Sequence, residues 1–461
     1  MHLRRDLTEA ATEVMNRSQR SVDDNAGRPG VLHVLHDRGG GTEKYLLELI
    51  EATRASHRHY FLRILDDRWR LIDTMGKSAA RDYRWRIAGD GADLGQYDCA
   101  RTAPHADRWL SALCAWLGVG LIHVHSLVGD ADDLPQLLVA AGVPYCYTAH
   151  DMYLPCPTVY LIDAHGRYCN ATTDVRTCRA CLQHQPTLED IDIEQWRARH
   201  RRFLVGASAV FAPSPWARDT LRRYFPEVQV NVSPPQEAAT TKQSGPLPEP
   251  AFSLPHDACR HVAVLGAIGP EKGARHVERM VERIRARALP LRVVVVGYTD
   301  RESRSQSDDK VLTVHGPYDV AHVEALLDHY RVSVVAFPGI WPETYGYTLS
   351  EAWRAGRAAL VPPTGALAER VRSSGAGWII DRWPDIDALL DQIIDVTEPK
   401  NRATLANTAR LARQAADHAP DADNSTLRFY SAAVPRAPSA AATQAMLDLI
   451  HESAAQALAT G

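Results

Sequence analysis

The sequence predicts an α/β protein in which two domains each carry a parallel sheet, and three observations lead to this class. The 461 residues exceed what one hydrophobic core of ordinary size accommodates, which favours two domains. Apolar runs of strand length alternate with helical patterns along most of the chain, as they do in βαβ units. These runs are rich in β-branched residues and apolar at successive positions, which is typical of strands buried on both faces.

The predicted strands fall into two sets, separated by a stretch that has no apolar period. The first set consists of residues 31–36, 121–125, 145–149 and 210–213. The second set consists of residues 262–265, 292–297, 332–337 and 358–361. The stretch between them is rich in proline, polar and small residues, as linkers are.

This pattern predicts the following organisation of the chain. We expect a loosely ordered extension over 1–27, a first α/β domain over 28–235 with a cysteine-rich insertion over 152–185, a linker over 236–255, a second α/β domain over 256–420, and a helical tail over 421–461 that packs back on the body.

Composition excludes several classes of partner. A formal net charge of -4 leaves no basic surplus for nucleic acid, and hydrophobic residues at 45% with charged residues at 23% are ordinary for a globular protein. No apolar run approaches the roughly 18 residues of a membrane span, and the first 30 residues lack the apolar core of a signal peptide. We therefore expect a cytoplasmic protein, in which eight cysteines form no disulfide framework.

Two carboxylates eight positions apart, Glu343 and Glu351, lie in the run FPGIWPETYGYTLSEAWRAG. This run joins a predicted strand to a predicted helix that begins near Gly346 or Tyr347, and the free N–H groups of a helix start favour an anion. Carboxylates accept hydrogen bonds from sugar hydroxyls. A nucleotide sugar would satisfy both kinds of group, whereas the alternative is two solvated surface acids.

Glycine-rich loops follow the first strand of each set. Gly39, Gly40 and Gly41 lie in DRGGGTEK and allow a bound group to approach the backbone closely, although a plain tight turn explains them equally well. Gly269 and Lys272 lie in GAIGPEKG, ahead of a predicted helix. A lysine at that position can reach a diphosphate as a point charge, while an isolated loop lysine is otherwise merely solvated.

Four cysteines follow the TAHD segment with the spacing C-x12-C-x8-C-x2-C: Cys156, Cys169, Cys178 and Cys181. The closing C-x2-C is a common half of a tetrahedral zinc site, and four thiolates would complete it. Buried free thiols and disulfides are the alternatives, and a reducing compartment disfavours disulfides. Zinc in this insertion would have a structural role.

The order of these segments resembles glycosyltransferase family 4, a group of retaining nucleotide-sugar transferases with the GT-B fold. The resemblance extends from about residue 31 to 415, and its most specific element is the E-x7-E run PETYGYTLSEAWRAGRAALVPPTGALAERV. The segments GGGTEK, TAHD, APS and GAIGPEKG occur in the order the family has. The resemblance implies two Rossmann-like domains whose parallel sheets face each other across a cleft.

The family also implies an activity and its partners. We expect a sugar to move from a nucleoside-diphosphate sugar to a glycan or lipid-linked acceptor, by a front-face mechanism that requires no metal or other cofactor. The Arg- and Ala-rich composition is typical of a GC-rich bacterial source, which favours a role in surface polysaccharide assembly. A lipid-linked acceptor would bring the enzyme to the inner face of the membrane as a peripheral protein.

The resemblance assigns a role to individual residues. In the second domain, Glu343 would bind hydroxyls of the transferred sugar, Glu351 would hold the ribose, and Lys272 would neutralise the departing diphosphate. The backbone of Gly269, Gly346, Tyr347 and Thr348 would line the donor.

The first domain would contribute the opposite wall. The glycines Gly39, Gly40 and Gly41 would close over the diphosphate, and His150 would contact the sugar as a catalytic residue. His125 lies at a predicted strand end where the family receives its acceptor, although a core histidine is the alternative.

One position departs from the family pattern. The family commonly has an arginine five positions before the lysine, and this chain has Ala267 there. Arg275, Arg260, Arg218 or the backbone of residues 266–269 would replace it. The alternative is a catalytically weakened GT-B subunit, which binds a nucleotide sugar or a partner enzyme without transferring the sugar.

Overall fold

The computed structural model describes most of the chain. The described residues are 28–36, 40–65, 68–73, 92–97, 106–128, 134–237, 250, 252–417, 425–432, 441 and 444–445. The predicted extension over 1–27 and residues 238–249 of the predicted linker lie outside these ranges.

The first sheet has eight strands in the order β4-β3-β2-β1-β5-β6-β7-β8. The strands are β1 Gly30–His36, β2 Arg58–Leu65, β3 Arg68–Asp73, β4 Ala92–Tyr97, β5 Val119–Val124, β6 Tyr145–Thr148, β7 Ala209–Ala212 and β8 Val230–Val232. The helices of this half are α1 Gly41–Thr53, α2 Ala106–Leu117, α3 Leu134–Ala140, α4 Val175–Leu182, α5 Ile193–Gly206 and α6 Pro215–Tyr224. The pairs β2–β3 and β3–β4 are antiparallel and the other pairs are parallel.

The second sheet has seven strands in the order β11-β12-β10-β9-β13-β14-β15. The strands are β9 Arg260–Ile268, β10 Leu291–Thr299, β11 Ser305–Gln306, β12 Leu312–Val314, β13 Val332–Ala336, β14 Ala359–Val361 and β15 Gly377–Ile379. The helices are α7 Ala274–Ala286, α8 Val323–His329, α9 Tyr347–Arg354, α10 Gly365–Ser374, α11 Ile386–Thr397 and α12 Arg402–Asp417, with 3₁₀ turns at Val320–His322 and Pro399–Asn401. All pairs except β11–β12 are parallel.

Burial explains why the predicted strands form. In β10, Val293, Val294, Val295 and Val296 are all fully buried, as strands with helices on both faces require. Two parallel α/β sheets are therefore present, which confirms the predicted fold class. The antiparallel strands β3 and β4 at the edge of the first sheet were not predicted.

A last helix, α13 Ser425–Ser431, packs against the first domain after the chain has passed through the second. The Tyr430 hydroxyl lies 2.6 Å from Nδ1 of His123, and the Ser233 hydroxyl lies 2.7 Å from that of Thr426. The chain thus returns to the domain in which it began. No helix within the described residues combines the length and the apolarity needed to cross a membrane.

Glu237, the last described residue before residues 238–249, anchors the interdomain segment on the second domain. Its carboxylate pairs with Arg354, lies 3.8 Å from Arg370, and accepts hydrogen bonds from the hydroxyls of Tyr345 and Ser350. Burial opposes the charge of this carboxylate, yet the two guanidinium groups hold the pKa of Glu237 below its ordinary value. The segment is therefore held by a buried ionic contact.

Glu237→Gln is expected to destabilise the protein by about 1.5–3 kcal/mol, because it removes the charged partner of two partly buried guanidinium groups, which are 24% and 19% exposed. Glu324→Gln is the matched control, since Glu324 pairs with Arg413 at the surface, where both side chains are more than a third exposed. The control should cost less than about 1 kcal/mol. Denaturant unfolding measures both, and equal midpoints for the two variants would contradict the expectation.

Candidate active site

A cleft of about 460 Å³ lies between the two domains. From the first domain it is lined by the loops that follow β1 and β6, and from the second by the loops that follow β9 and β13. Ligands of open α/β sheets bind at this carboxyl edge of the strands. The predicted site residues that line the cleft are Gly40, Gly41, His150, Lys272, Glu343, Gly346, Tyr347, Thr348 and Glu351.

Three other predicted residues do not lie on the described cleft wall. Gly39 lies outside the described residues. Gly269 turns the loop after β9, where its carbonyl accepts hydrogen bonds from the amides of Lys272 and Ala274 at 3.1 Å each. His125 is fully buried, 3.2 Å behind a ring nitrogen of His150, which is the position of the core histidine considered above.

Lys272 and Glu343 form an ion pair across two loops of the second domain. Lys272 Nζ lies 3.8 Å from Glu343 Oε1, and the two side chains are 30% and 17% exposed. Each loop is held by tight local geometry, since a Cβ at Gly273 would lie 1.9 Å from the carbonyl oxygen of Pro338. The site thus presents a cation and a carboxylate side by side, suited to an anion and to hydroxyl groups.

Helix α9 begins at Tyr347, with Gly346 before it in the left-handed region at φ 85°. Only glycine fits at this position, because a Cβ would lie 2.1 Å from Cδ2 of Leu367. The first amides of the helix lie on the cleft wall, together with Thr348. The prediction that the helix begins near Gly346 or Tyr347 is confirmed, and Glu351 is its fifth residue.

Glu351 is buried, with protein partners on both oxygens. Lys44 Nζ donates to Oε1 at 3.2 Å, and the Tyr318 hydroxyl donates to Oε2 at 2.8 Å. Each carboxylate oxygen has a second lone pair, so Glu351 retains acceptor capacity for a ligand. Lys44 belongs to α1, and its contact with Glu351 joins the two domains across the cleft.

Lys44 is a site residue that the sequence argument missed. Together with Lys272 it lines the cleft, and no arginine does so among the described lining residues. Arg218, one proposed replacement for the family arginine, instead pairs with Asp219 at 2.7 Å on the surface of α6. The signal was in the GGGTEK segment, where Lys44 lies one helical turn beyond Gly40.

Further contacts join the domains beside Lys44. Tyr347 donates to Glu48 of α1 at 2.9 Å, and the Thr344 hydroxyl donates to the carbonyl of His150 at 2.8 Å. Burial raises the pKa of Glu48 to about 7, although Lys44 and the Tyr347 hydroxyl act in the opposite direction. The wall formed by α1 and α9 is thus held together by polar contacts between the domains.

A chain of histidines runs from His150 into the core of the first domain. His150 Nε2 lies 3.2 Å from His125 Nδ1, and His125 Nε2 lies 3.1 Å from His33 Nδ1. His33 Nε2 then lies 2.9 Å from His59 Nδ1. His59 and His33 lie in β2 and β1, and His125 and His150 follow β5 and β6, so the sheet order sets the order of the histidines.

The far end of the chain determines where each proton lies. Thr53 donates its single hydroxyl hydrogen to the carbonyl of Leu49 at 2.7 Å, so it accepts from Nε2 of His59 at 3.1 Å. Nδ1 of His59 is then an acceptor and receives the hydrogen bond of Nε2 of His33. In the same way, His125 donates through Nε2 to Nδ1 of His33, and His150 donates through Nε2 to Nδ1 of His125. His150 therefore carries its proton on Nε2 and keeps Nδ1 as an acceptor.

Burial keeps the histidines of this hydrogen-bonded row uncharged. It lowers the pKa of His150 to about 3, with the neighbouring His36 as a second cause, and it lowers the pKa of His59 to about 3. The pKa values of His33 and His125 also lie well below the ordinary value, chiefly because of burial. His150 therefore meets a ligand as a neutral group that accepts a hydrogen bond.

Asp151, beside His150, is a further carboxyl group on the cleft wall. Burial raises the pKa of Asp151 to about 6, although a hydrogen bond from the amide of Tyr153 favours the charged form. That bond, 2.9 Å long, ties one oxygen to the start of the cysteine-rich insertion. Asp151 thus connects the cleft with this insertion.

The four predicted cysteine ligands line one cavity in the insertion, and all are free thiols. Among the described residues, the trio of candidate ligands that approach within 4.8 Å of one another is His33, His123 and His125, and it includes no cysteine. Both ring nitrogens of each of these histidines have hydrogen-bond partners, since His123 contacts Tyr430 and Thr148. The zinc site remains a prediction.

Solved structures with the same overall architecture are glycosyltransferases. Sucrose-phosphate synthase from Thermosynechococcus elongatus is 15% identical, with a TM-score of 0.56 over 88% of this chain and 98% of its own. HepE from Anabaena in complex with UDP is 14% identical, with a TM-score of 0.54 over 88% of this chain and 100% of its own. A glycosyltransferase from Rickettsia africae is 11% identical, with a TM-score of 0.53 over 88% of this chain and 98% of its own. The two facing sheets define the GT-B class.

Family profiles match both halves of the chain. Residues 39–235 match the family described as Glycosyltransferase Family 4, and residues 259–398 match the family described as Glycosyl transferases group 1. Both halves of the chain therefore match glycosyltransferase family models, which confirms the resemblance that the E-x7-E run and the glycine-rich loops indicated. No curated protein sequence matches it.

Proposed function

We propose that the protein is a retaining glycosyltransferase that moves a sugar from a nucleoside-diphosphate sugar to a glycan or lipid-linked acceptor. The observation that carries this proposal is the Lys272–Glu343 pair, 3.8 Å apart, beside the start of α9. A cation and free helix amides suit a diphosphate, and a carboxylate suits the hydroxyls of the sugar. HepE, which has this fold, was solved with UDP and with UDP-glucose.

The roles proposed for the individual residues follow this geometry. Lys272 stabilises the charge that develops on the diphosphate, and Glu343 accepts hydrogen bonds from the transferred sugar. Glu351 binds the ribose through the acceptor capacity that Lys44 and Tyr318 leave. From the side of the first domain, Nδ1 of His150 accepts a hydrogen bond from a hydroxyl of the sugar.

A front-face mechanism fits the partners of three carboxylates on the cleft wall, Glu343, Glu351 and Asp151. Glu343 is paired with Lys272, Glu351 with Lys44, and Asp151 accepts from the amide of Tyr153. We therefore assign removal of the acceptor proton to the departing phosphate oxygen, without a sugar bound to the protein. Mass spectrometry of the enzyme during turnover tests this assignment, and a glycosylated Asp151, Glu343 or His150 would contradict it.

Lys44 takes the place of the arginine that the family commonly has at the position of Ala267. It is the second lysine of the cleft wall, and its ammonium group lies 3.2 Å from Glu351 and 4.4 Å from the ring centroid of Tyr347. The glycines that precede it, Gly40 and Gly41, are proposed to close over the diphosphate. A second cation is therefore available from the first domain when the cleft is occupied.

Lys44→Met is expected to raise the donor KM and to lower kcat, with a combined loss of about 10²-fold in kcat/KM. Lys44→Arg should retain most of the activity, because it keeps the charge that the diphosphate requires. Steady-state kinetics with a fixed acceptor measure both variants. If Lys44→Met keeps kcat/KM within about threefold of the unaltered enzyme, Lys44 does not replace the arginine.

The central test of the proposed function is a screen of nucleotide sugars. A true donor should stabilise the protein by mass action, by about 2.7 kcal/mol at one hundred times its Kd. The same donor should release nucleoside diphosphate when an acceptor is present. If none of a broad panel of donors is either bound or cleaved, the protein is not a nucleotide-sugar transferase.

The alternative function is a weakened subunit that binds a nucleotide sugar or a partner enzyme without transfer, and the missing arginine at Ala267 favours it. The retained Lys272, Glu343 and Glu351 on the cleft wall favour an enzyme. Stabilisation by a donor without release of nucleoside diphosphate, across a panel of glycan and lipid-linked acceptors, would support the alternative.

The biological setting that we propose is the assembly of a bacterial surface polysaccharide, with cytoplasmic synthesis at the inner face of the membrane. Its support is the resemblance to a family with such members and a composition typical of a GC-rich bacterium. Transfer assays that compare soluble glycans with lipid-linked acceptors in vesicles test this setting. Transfer to neither class of acceptor would count against it.

A further inference from the structure

The cysteine-rich insertion between β6 and α5 contains a cavity of about 390 Å³ that the glycosyltransferase site does not use. Cys156 and Cys169 line it from the loop, and Cys178 and Cys181 line it from α4, one helical turn apart. The rest of its lining includes apolar side chains such as Leu161 and Ile193. Four thiols therefore face one space, close to but separate from the cleft.

The thiols are farther apart than a single metal ion requires. Four sulfurs around zinc, each about 2.3 Å from the metal, lie about 3.8 Å from one another. No three of these cysteines meet even a 4.8 Å limit, since the qualifying trio among the described residues consists of histidines. The space that the thiols enclose suits a centre with several atoms.

A buried arginine beside the cavity indicates the charge of that centre. Arg197 is 9% exposed, and its Nη2 donates to Sγ of Cys178 at 3.1 Å. Its other donors bond the carbonyls of Pro155 and Thr173 at 3.1 Å, and its guanidinium lies 4.8 Å from the ring centroid of Tyr224. Among the described residues, the hydrogen-bond partners of this guanidinium are thus two neutral carbonyls and the sulfur of Cys178. A buried cation requires an anion, and thiolates around a metal centre supply one.

Polar groups lie close to two of the sulfurs. The hydroxyl oxygen of Thr158 lies 3.3 Å from Sγ of Cys156, and Sγ of Cys178 lies 3.7 Å from the carbonyl oxygen of Thr172. Hydrogen bonds at the sulfurs are among the features that set the properties of iron–sulfur sites.

Four non-glycine residues of this loop adopt the left-handed region, at φ 49–67°: Val159, Leu161, Asn170 and Ala171. Such residues cost about 1–3 kcal/mol each and persist where the surroundings hold them in place. Residues 149–174 contain a single isolated β-bridge and no helix, and they are held by local turns, such as the bond from the amide of Cys169 to the carbonyl of Leu161 at 2.9 Å. A bound centre would tie these turns to α4.

We propose that this insertion binds an iron–sulfur cluster through the thiolates of Cys156, Cys169, Cys178 and Cys181. Four thiolates are the usual ligand set of such clusters, whose iron and sulfide atoms fill a space wider than one ion. The net negative charge of a cluster with four thiolates satisfies Arg197. Its role is structural, because it links the loop to α4.

The cluster would also fix part of the active site. Val159 and Tyr160 lie between the first two ligands and line the cleft, and the ring centroid of Tyr160 lies 4.5 Å from that of Trp341 of the second domain. Loss of the cluster is therefore expected to raise the KM for the nucleotide-sugar donor that we propose for the cleft. Donor binding by the cleft and metal content of the insertion are measured separately, so either proposal can fail without the other.

Metal analysis of the full-length protein tests the proposal. Protein from iron-supplemented cells, purified without oxygen, should contain iron and acid-labile sulfide in equal amounts, with a visible absorption that dithionite bleaches. Cys169→Ser and Cys181→Ser should each lose most of the iron, whereas Cys259→Ser, in the second domain, should keep it. Stoichiometric zinc without iron would overturn the proposal. So would the absence of both metals after reconstitution with ferrous iron and sulfide.

Arg197→Gln provides a readout that does not depend on removing a ligand. This variant should retain iron, and its cluster should have a more negative reduction potential, because a nearby positive charge stabilises the reduced state. Arg199→Gln is the control, since Arg199 lies on the same helix with its guanidinium 5.6 Å from the ring centroid of Trp196, whereas Arg197 donates to the sulfur of Cys178. Equal potentials for Arg197→Gln and the unaltered protein would contradict the charge argument.

Discussion

Lys272→Ala is expected to lower kcat for sugar transfer about 10²- to 10³-fold, the effect of removing one group that stabilises developing charge. Negative charge gathers on the diphosphate as the sugar leaves, and Lys272 lies on the cleft wall with its ammonium group 3.8 Å from Glu343. Because the charge is larger in the transition state than in the bound donor, kcat should fall more than the donor affinity.

The design of this test separates charge from packing. Lys272→Arg keeps a cation and should recover a substantial part of kcat, whereas Lys400→Ala removes a lysine that is 65% exposed and should change nothing. Single-turnover kinetics with a saturating donor isolate the chemical step. If Lys272→Ala loses less than about threefold in that step, the lysine is not the group that stabilises the leaving diphosphate.

Glu343 belongs to the same test, because it is the partner of Lys272. Glu343→Ala should lower kcat/KM by about 10- to 100-fold, through loss of charged hydrogen bonds to the sugar worth about 1.5–3 kcal/mol. The double variant should lose less than the product of the two single losses, since neighbouring residues are not additive. Transfer that survives Glu343→Ala within about threefold would show that the role of this carboxylate is wrong.

The sequence allowed the second-domain site to be predicted because its chemistry is local. Glu343, Gly346 and Glu351 lie within nine positions, and a strand followed by a loop and a helix suffices to bring them to one wall. The requirement for glycine at position 346 depends on Leu367, which only the packing of α10 supplies. Local patterns therefore gave the residues but not every reason for them.

The contacts between the domains could not be predicted in this way. Lys44 and Glu351 are separated by 307 positions, and nothing in either segment specifies the relative placement of the two sheets. We accordingly expected the missing cation from Arg275 or Arg260 in the second domain, from Arg218 in the first, or from the backbone of residues 266–269. The cation that we propose instead, Lys44, lies in the first turn of α1, directly after a loop that had been interpreted only through its glycines.

The histidine chain lies between these two cases. His123 and His125 alternate along β5 and so share a face, and His33 is the register partner of His123 on β1. A correct sheet order would therefore have grouped them. That order could not be predicted, because three strands, β2, β3 and β4, lie between β1 and β5 along the chain and none of them was predicted.

A loss of stability on the order of 5 kcal/mol is expected between pH 7 and pH 5, because buried neutral histidines resist protonation only while the protein is folded. Burial places the pKa of His59 and His150 at about 3, against about 6.5 in an unfolded chain, and acts in the same direction on His33, His123 and His125. His59 and His150 each contribute about 1.4 kcal/mol per pH unit between pH 3 and pH 6.5, and the other three act in the same direction.

The direction of the effect follows from which state binds more protons. Below pH 6.5 the unfolded chain takes up protons that the folded chain refuses, so this contribution is complete above pH 6.5 and is lost as the pH falls towards 3. Glu48 and Asp151, with pKa values raised to about 7 and 6, act oppositely, since the folded protein holds their protons more tightly. Five histidines outweigh two carboxyl groups, and stability should fall with acid.

Denaturant unfolding from pH 7.5 to pH 5 measures the change in the free energy of unfolding per pH unit. His59, at one end of the histidine chain, and the exposed His165 offer a matched pair of variants. His59→Gln should make the slope shallower by up to about 1.4 kcal/mol per pH unit, whatever its cost at neutral pH, because one refused proton is removed. His165→Gln changes an exposed histidine and should leave the slope unaltered. A slope that is the same in both variants would mean that the buried chain is charged when folded, in which case His150 could not offer the sugar a neutral acceptor.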